Sequence, residues 1–103
     1  MSLNRRAAKR DANEPEIMEF LRKAGCMVQP ISESGLPDLL CCYRGDIFLV
    51  EVKAKKGKLT AAQERFFQDC VYPFRMPAYV VHGIQDCLRI LRIQEKRADK
   101  LDV

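Results

Sequence analysis

Ile17, Phe20, Leu21 and Ala24 recur at i, i+3, i+4 and i+7, the spacing that lines one face of an α-helix. Asn13 stands where an N-cap is expected, Pro15 suits a first turn, and Gly25 suits the C-terminal stop. Beyond Gly25 the apolar pattern changes. Cys26–Ile31 reads as a strand, which Pro30 ends early or confines to a sheet edge. Ser32–Pro37 is a loop, Asp38–Tyr43 a second strand, Arg44-Gly45-Asp46 a tight turn and Ile47–Ala54 a third strand, so the last two strands form a hairpin. Lys55–Lys58 is a basic connection containing a glycine. Thr60-Ala61-Ala62-Gln63 has the capping-box form, a hydroxyl followed three residues later by Gln, and the helix behind it carries Phe66, Phe67, Cys70 and Val71. Pro73 and Pro77 break the chain ahead of a short apolar strand, Ala78–His82. Ile84, Cys87, Leu88 and Leu91 then return to helical spacing, and the charged stretch after Ile93 either extends that helix or frays.

The resulting order is helix, three strands, helix, strand, helix. The step from the third strand through a helix to the fourth asks for a right-handed crossover and a parallel pair. The fold class is therefore α/β, with a mixed central sheet flanked by helices. At 103 residues the chain supports one core. We expect a flexible basic arm over residues 1–11, a single domain over 12–93 and a charged tail over 94–103.

Composition removes several classes of function. Hydrophobic residues make up 48% and charged residues 31%, ordinary values for a globular chain, and no apolar run approaches the ~18 residues of a membrane span. The basic N-terminus has no hydrophobic stretch behind it, which argues against a secretory signal and for a cytoplasmic, intracellular protein. The five cysteines (Cys26, Cys41, Cys42, Cys70, Cys87) form no C-x-x-C pair and His82 is the sole histidine, so neither zinc-ligand spacing nor a disulfide framework is expected. Cys41 and Cys42 read as core and surface fillers in a reducing compartment. The net charge of +4 is modest but clustered: Arg5, Arg6, Lys9 and Arg10; Lys53, Lys55, Lys56 and Lys58; Arg89, Arg92, Lys96, Arg97 and Lys100. Such clusters suit a polyanion such as nucleic acid, or simply a solvated surface.

One acid is out of keeping with its neighbours. Glu51 lies in the run Ile47-Phe48-Leu49-Val50-Glu51-Val52, and strand alternation sends Glu51 and Lys53 to one face and Val50 and Val52 to the other. A carboxylate among such residues is costly unless compensated. If Asp38 comes alongside, two carboxylates about 4 Å apart repel by roughly 4 kcal/mol at a surface-like dielectric. A divalent cation converts that repulsion into ligation, with Lys53 as a charge-stabilising neighbour.

Pro37-Asp38 followed by Glu51-Val52-Lys53, in this element order, resembles the PD-(D/E)XK nuclease superfamily and implies its restriction-endonuclease-like αβββαβ core. Within it, Gly35-Leu36-Pro37-Asp38-Leu39-Leu40, Gly45, Glu51-Val52-Lys53, Gly57-Lys58-Leu59-Thr60 and Gln63, with Asp11-Ala12-Asn13-Glu14-Pro15-Glu16-Ile17 upstream, are similar to the virus-type replication-repair nuclease (VRR-NUC) domain, in its stand-alone phage form. The likeness covers about residues 11–90.

The resemblance implies a Mg²⁺- or Mn²⁺-dependent endonuclease acting on DNA, with no small-molecule cofactor and no membrane. Asp38, Glu51 and the Val52 backbone carbonyl would hold the metal, and Glu16 on the first helix would hold metal-bound water, with Glu14 and Glu19 as competitors. Lys53 would position the attacking water or stabilise the phosphate charge, and Gln63 would reach the site from the second helix. Each residue also has a plainer role. Asp38 suits a turn after Pro37, Glu51 and Lys53 an ion-pairing face, Glu16 a helix N-terminus, Gln63 a partner for Thr60, and His82 a strand end. Tyr43, Phe66 and Phe67 read as core rather than base-stacking platforms. The implied substrate is branched DNA such as a Holliday junction, cut by a homodimer for which Phe67, Tyr72, Phe74 and Met76 offer apolar surface. The alternatives are a non-catalytic nucleic-acid-binding module of the same fold, or a flap or splayed-arm nuclease working within a repair complex.

Overall fold

The first helix, α1 (Glu14–Lys23), buries Ile17 and Leu21 and carries acids in its first turn and Arg22 and Lys23 in its last, which complements the helix dipole at both ends. A computed structural model describes residues 11–101, with side chains described as far as Arg97. The basic arm expected over residues 1–11 lies, apart from Asp11, outside the described residues. Asn13 departs from its expected role. Its side chain caps nothing and instead donates Nδ2–H to the carbonyls of Lys53 (3.0 Å) and His82 (3.5 Å). The two strand-end carbonyls take the amide hydrogens, and Oδ1, the atom that would cap the helix, is buried without a hydrogen-bond partner among the described residues. Gly25, at φ +106°, reverses the chain, with Cys26 N–H donating to the Leu21 carbonyl.

Among the described residues four strands form one sheet, in spatial order β1-β2-β3-β4. The edge strand β1 (Met27–Pro30) is shorter than the Cys26–Ile31 run suggested, and Pro30 closes it. Strand β2 (Leu39–Tyr43) pairs antiparallel with β1 and with β3 (Asp46–Val52). Arg44 (φ +53°) and Gly45 (φ +88°) form the two-residue hairpin loop, both in the left-handed conformation that matches strand twist, so Asp46 already belongs to β3. Strand β4 (Ala78–Val81) runs parallel to β3, as the crossover requires, with Leu49 opposite Ala78 and Val52 opposite Val81.

The crossover helix α2 (Ala61–Phe66) starts at Thr60 with both capping-box hydrogen bonds in place. It does not continue as a regular α-helix. A π-helical turn spans Phe67–Val71, with Tyr72 N–H donating five residues back to the Phe67 carbonyl. The last helix, α3 (Ile84–Leu101), runs well beyond Ile93. Gln94 is fully buried and donates to the Tyr79 hydroxyl at 3.1 Å, and Glu95 accepts from the Tyr43 hydroxyl at 3.0 Å. The packed domain therefore does not stop at residue 93.

The main core lies between one sheet face and the helices α1 and α3: Val28, Leu39, Cys41, Phe48, Val50, Val52 and Val81 meet Ile17, Leu21, Cys87, Ile90 and Leu91. On the opposite face α2 approaches one rim, where Gln63 touches Glu51, while Met27 and Ile47 at the far end stay exposed. All five cysteines are free thiols; Cys26, Cys41 and Cys87 are buried. No helix among the described residues is long and apolar enough to cross a membrane.

Candidate active site

The pairing of β2 with β3 ends at Leu39 opposite Val50. Continuing that register by one step sets Asp38 opposite Glu51, on the sheet face away from the main core. A second step sets Pro37 opposite Val52. Backbone groups along β3 alternate between its two neighbours. Lys53 N–H points towards β4 and donates to the Val81 carbonyl at 2.9 Å, so the polar groups of Val52 point towards β2. The Asp38 carboxylate takes the Val52 N–H, Oδ2 accepting at 2.8 Å. Pro37 has no N–H, so β2 offers the Val52 carbonyl no donor at that step.

Glu51 is 1% exposed. Its Oε2 accepts from Gln63 Nε2 at 3.0 Å and lies 3.7 Å from Lys53 Nζ. Its Oε1 is buried and has no hydrogen-bond partner among the described residues. Burial first, and then the adjoining Asp38 carboxyl, together raise the Glu51 carboxyl to about 8 against the opposing pull of Lys53. This is a carboxyl that the protein alone does not keep ionised. Among the described residues no three or more of His, Cys, Asp and Glu gather as a metal-binding group. The available donors are the two carboxylates and the Val52 carbonyl. They fit Mg²⁺ or Mn²⁺, hard cations that take few protein oxygens and keep several waters. The buried, unpaired Glu51 Oε1 is the observation in favour of that fit.

The structure brings Asp38, Glu51, Lys53, Val52 and Gln63 together. Gln63 serves both of its expected roles: Oε1 accepts from Thr60 N–H and Nε2 reaches Glu51. Glu16 is not brought in. It is exposed, as is Glu19, which lies 3.9 Å from Lys23, whereas Glu14 is buried at 5%. At 100° per residue, Glu14 shares the buried face with Ile17 and Leu21, and Glu16 points about 200° away. The spacing 14, 17, 21 is the sequence signal that selects Glu14. Asn13, through its bond to the Lys53 carbonyl, sets the start of α1 at the end of β3.

Lys55, Lys56 and Lys58 are exposed in the connection beyond Lys53. In the C-terminal basic group, Arg89 is paired to Asp86 at 2.7 Å and Arg97 lies 3.9 Å from Asp46. Arg5, Arg6, Lys9 and Arg10, and the side chain of Lys100, lie outside what the structure describes. Phe67 is buried and so cannot contribute interface surface, whereas Tyr72 (66%) and Phe74 (77%) are exposed. Compared with known proteins, the chain matches no protein-family model and no curated protein.

Proposed function

We propose that the chain is a Mg²⁺- or Mn²⁺-dependent endodeoxyribonuclease with a restriction-endonuclease-like core, hydrolysing phosphodiester bonds in branched DNA. The observation that carries this reading is a buried Glu51 whose second oxygen lacks a partner, beside Asp38 and Lys53 at one sheet rim. Asp38 and Glu51 would hold the cation with the Val52 carbonyl. Once bound it would acidify a water and polarise the scissile phosphate. Lys53, with its side chain 12% exposed and its amine at the same rim, offsets charge that develops on the phosphate. Gln63 holds the Glu51 carboxyl in one orientation, and the buried acid Glu14 follows Asn13, which binds the Lys53 carbonyl just beyond β3. Lys55, Lys56 and Lys58 supply sequence-independent attraction for the backbone of the strand being cut.

Cutting two strands of a four-way junction from a domain with one site calls for a two-fold homodimer. Tyr72 and Phe74, exposed beside the edge strand β4, supply apolar surface for it.

The test is a panel of end-labelled four-way junction, flap, splayed-arm and linear DNAs incubated with Mg²⁺, Mn²⁺ or chelator and resolved on denaturing gels. We expect metal-dependent cleavage of a branched substrate. Lys53→Ala should lower the rate by about 10²–10³-fold, the loss typical of a transition-state charge stabiliser. Binding measured in Ca²⁺ should persist. Binding of all substrates without cleavage under any metal would favour the non-catalytic binding module instead.

A further inference from the structure

His82 follows β4 and takes no part in the chemistry above, yet three of its polar groups are engaged with three different parts of the chain. Its N–H donates to Asp86 Oδ2 at 2.8 Å, its carbonyl accepts from Asn13, and its ring Nε2 lies 3.2 Å from the Gly57 carbonyl. A carbonyl only accepts, so Nε2 carries the proton, and Nδ1 faces Asp86 Oδ2 at 3.8 Å. Asp86 is itself held by Arg89 at 2.7 Å. The residue is thus anchored to α3 through its backbone N–H, and its ring is applied to the turn that follows Lys53.

That turn is tight. Gly57 N–H donates to the Ala54 carbonyl at 2.8 Å, closing Ala54-Lys55-Lys56-Gly57. A Cβ on Gly57 would stand 3.2 Å from the nitrogen and oxygen of Ala54 and 3.4 Å from Lys53 Cβ, so glycine is there because the turn closes on the Ala54 backbone, with the Lys53 stem alongside. The residue whose carbonyl His82 contacts therefore lies against the Ala54 backbone, beside the Lys53 stem.

We propose that His82, oriented by Asp86, is a positioning residue for this basic turn: through Gly57 it holds Lys53 beside Glu51 and presents Lys55, Lys56 and Lys58 to a phosphate backbone. The phosphate-binding half rests on the nuclease reading; the clamping half does not. The lysines of an untethered turn would sample many orientations, and ordering them only on binding would weaken affinity for a polyanion.

The experiment uses the full chain with His82→Ala and His82→Gln, the second keeping an N–H donor on a side chain of similar reach. Limited trypsin digestion, read by mass spectrometry, reports opening of the turn at Lys55, Lys56 and Lys58 without reference to activity. His82→Ala should raise cleavage there about fivefold, the net worth of one hydrogen bond, with cleavage at Arg22 and Lys23 unchanged, and His82→Gln should restore protection. Affinity for branched DNA in Ca²⁺ should fall by a similar factor in His82→Ala and recover in His82→Gln, while Mg²⁺ affinity by calorimetry stays unchanged. Equal protection of the turn in all three proteins overturns the clamp, as does opening that the glutamine fails to reverse. Opening of the turn without loss of DNA affinity overturns the phosphate-binding half. A clamp that behaves as expected in a protein that cuts no DNA counts against the nuclease reading alone.

Discussion

Replacing Glu51 with glutamine removes a charge that the fold hardly tolerates and keeps the shape that Gln63 reads. In the folded protein the Glu51 carboxyl is raised from 4.5 to about 8, first by burial and then by Asp38. A carboxyl raised on folding binds its proton more tightly in the native state. Its contribution is therefore fully favourable below about pH 4.5, erodes as pH rises, and is lost above about pH 8. Through that window each pH unit costs the wild type about 1.4 kcal/mol relative to a neutral side chain. The accumulated difference by pH 8 is on the order of 4–5 kcal/mol. Urea melts of metal-free wild type and Glu51→Gln in chelator, at about pH 5, 6.5 and 8, should show the variant nearly level with wild type at the lowest pH and clearly more stable at the highest. Saturating Mg²⁺ at pH 8 should stabilise the wild type and leave the variant unmoved, because only an ionised carboxylate ligates well. A stability difference that does not change with pH, or one that favours the wild type throughout, refutes the claim that Glu51 is held against its charged form.

Three further outcomes rest on named contacts. Burial pushes the Cys26, Cys41 and Cys87 thiols up to about 11, 12 and 11, so an aromatic disulfide reagent at pH 8 should titrate Cys42 and Cys70 quickly and the other three only on unfolding. Thr60→Ala removes the hydroxyl of the capping box and should cost about 1 kcal/mol in thermal melts, while loosening the bond from Gln63 to Glu51 enough to lower Mg²⁺ affinity in calorimetry. Asn13→Ala should cost about 1–2 kcal/mol in urea melts by releasing the carbonyls of Lys53 and His82, and Asn13→Asp should not rescue it, because a carboxylate has no hydrogen to donate.

Most of the architecture is legible in the sequence because period and punctuation agree. Ile17 and Leu21 mark α1, Gly45 fixes the hairpin, and Thr60 with Gln63 announces α2. Glu51 is legible for the same reason: it is the polar residue in the apolar run Ile47–Val52, and strand alternation sets it with Lys53. The features that sequence misses are decided at longer range. Asn13 looks like a cap because local rules know nothing of the strand ends it meets 40 and 69 residues away. The π-helical turn after Phe66 leaves no mark in the spacing of Phe66, Phe67, Cys70 and Val71, and the charged tail after Ile93 hides Gln94, a buried polar residue that donates to Tyr79. The family resemblance favours Glu16, whereas the phase of the helix favours Glu14, and phase decides which acid faces inward.

Pro37 gives the rim a property that no side-chain rotation can undo. A ring closed on the backbone nitrogen keeps two neighbouring strands from zipping one rung further, so the oxygen of Val52 stays on offer whatever the solvent acidity and whether or not a ligand has arrived. Readiness of that kind is covalent. In the proposed metal site one anchoring point would thus be a permanent feature of the chain, with only the carboxylates left to adjust.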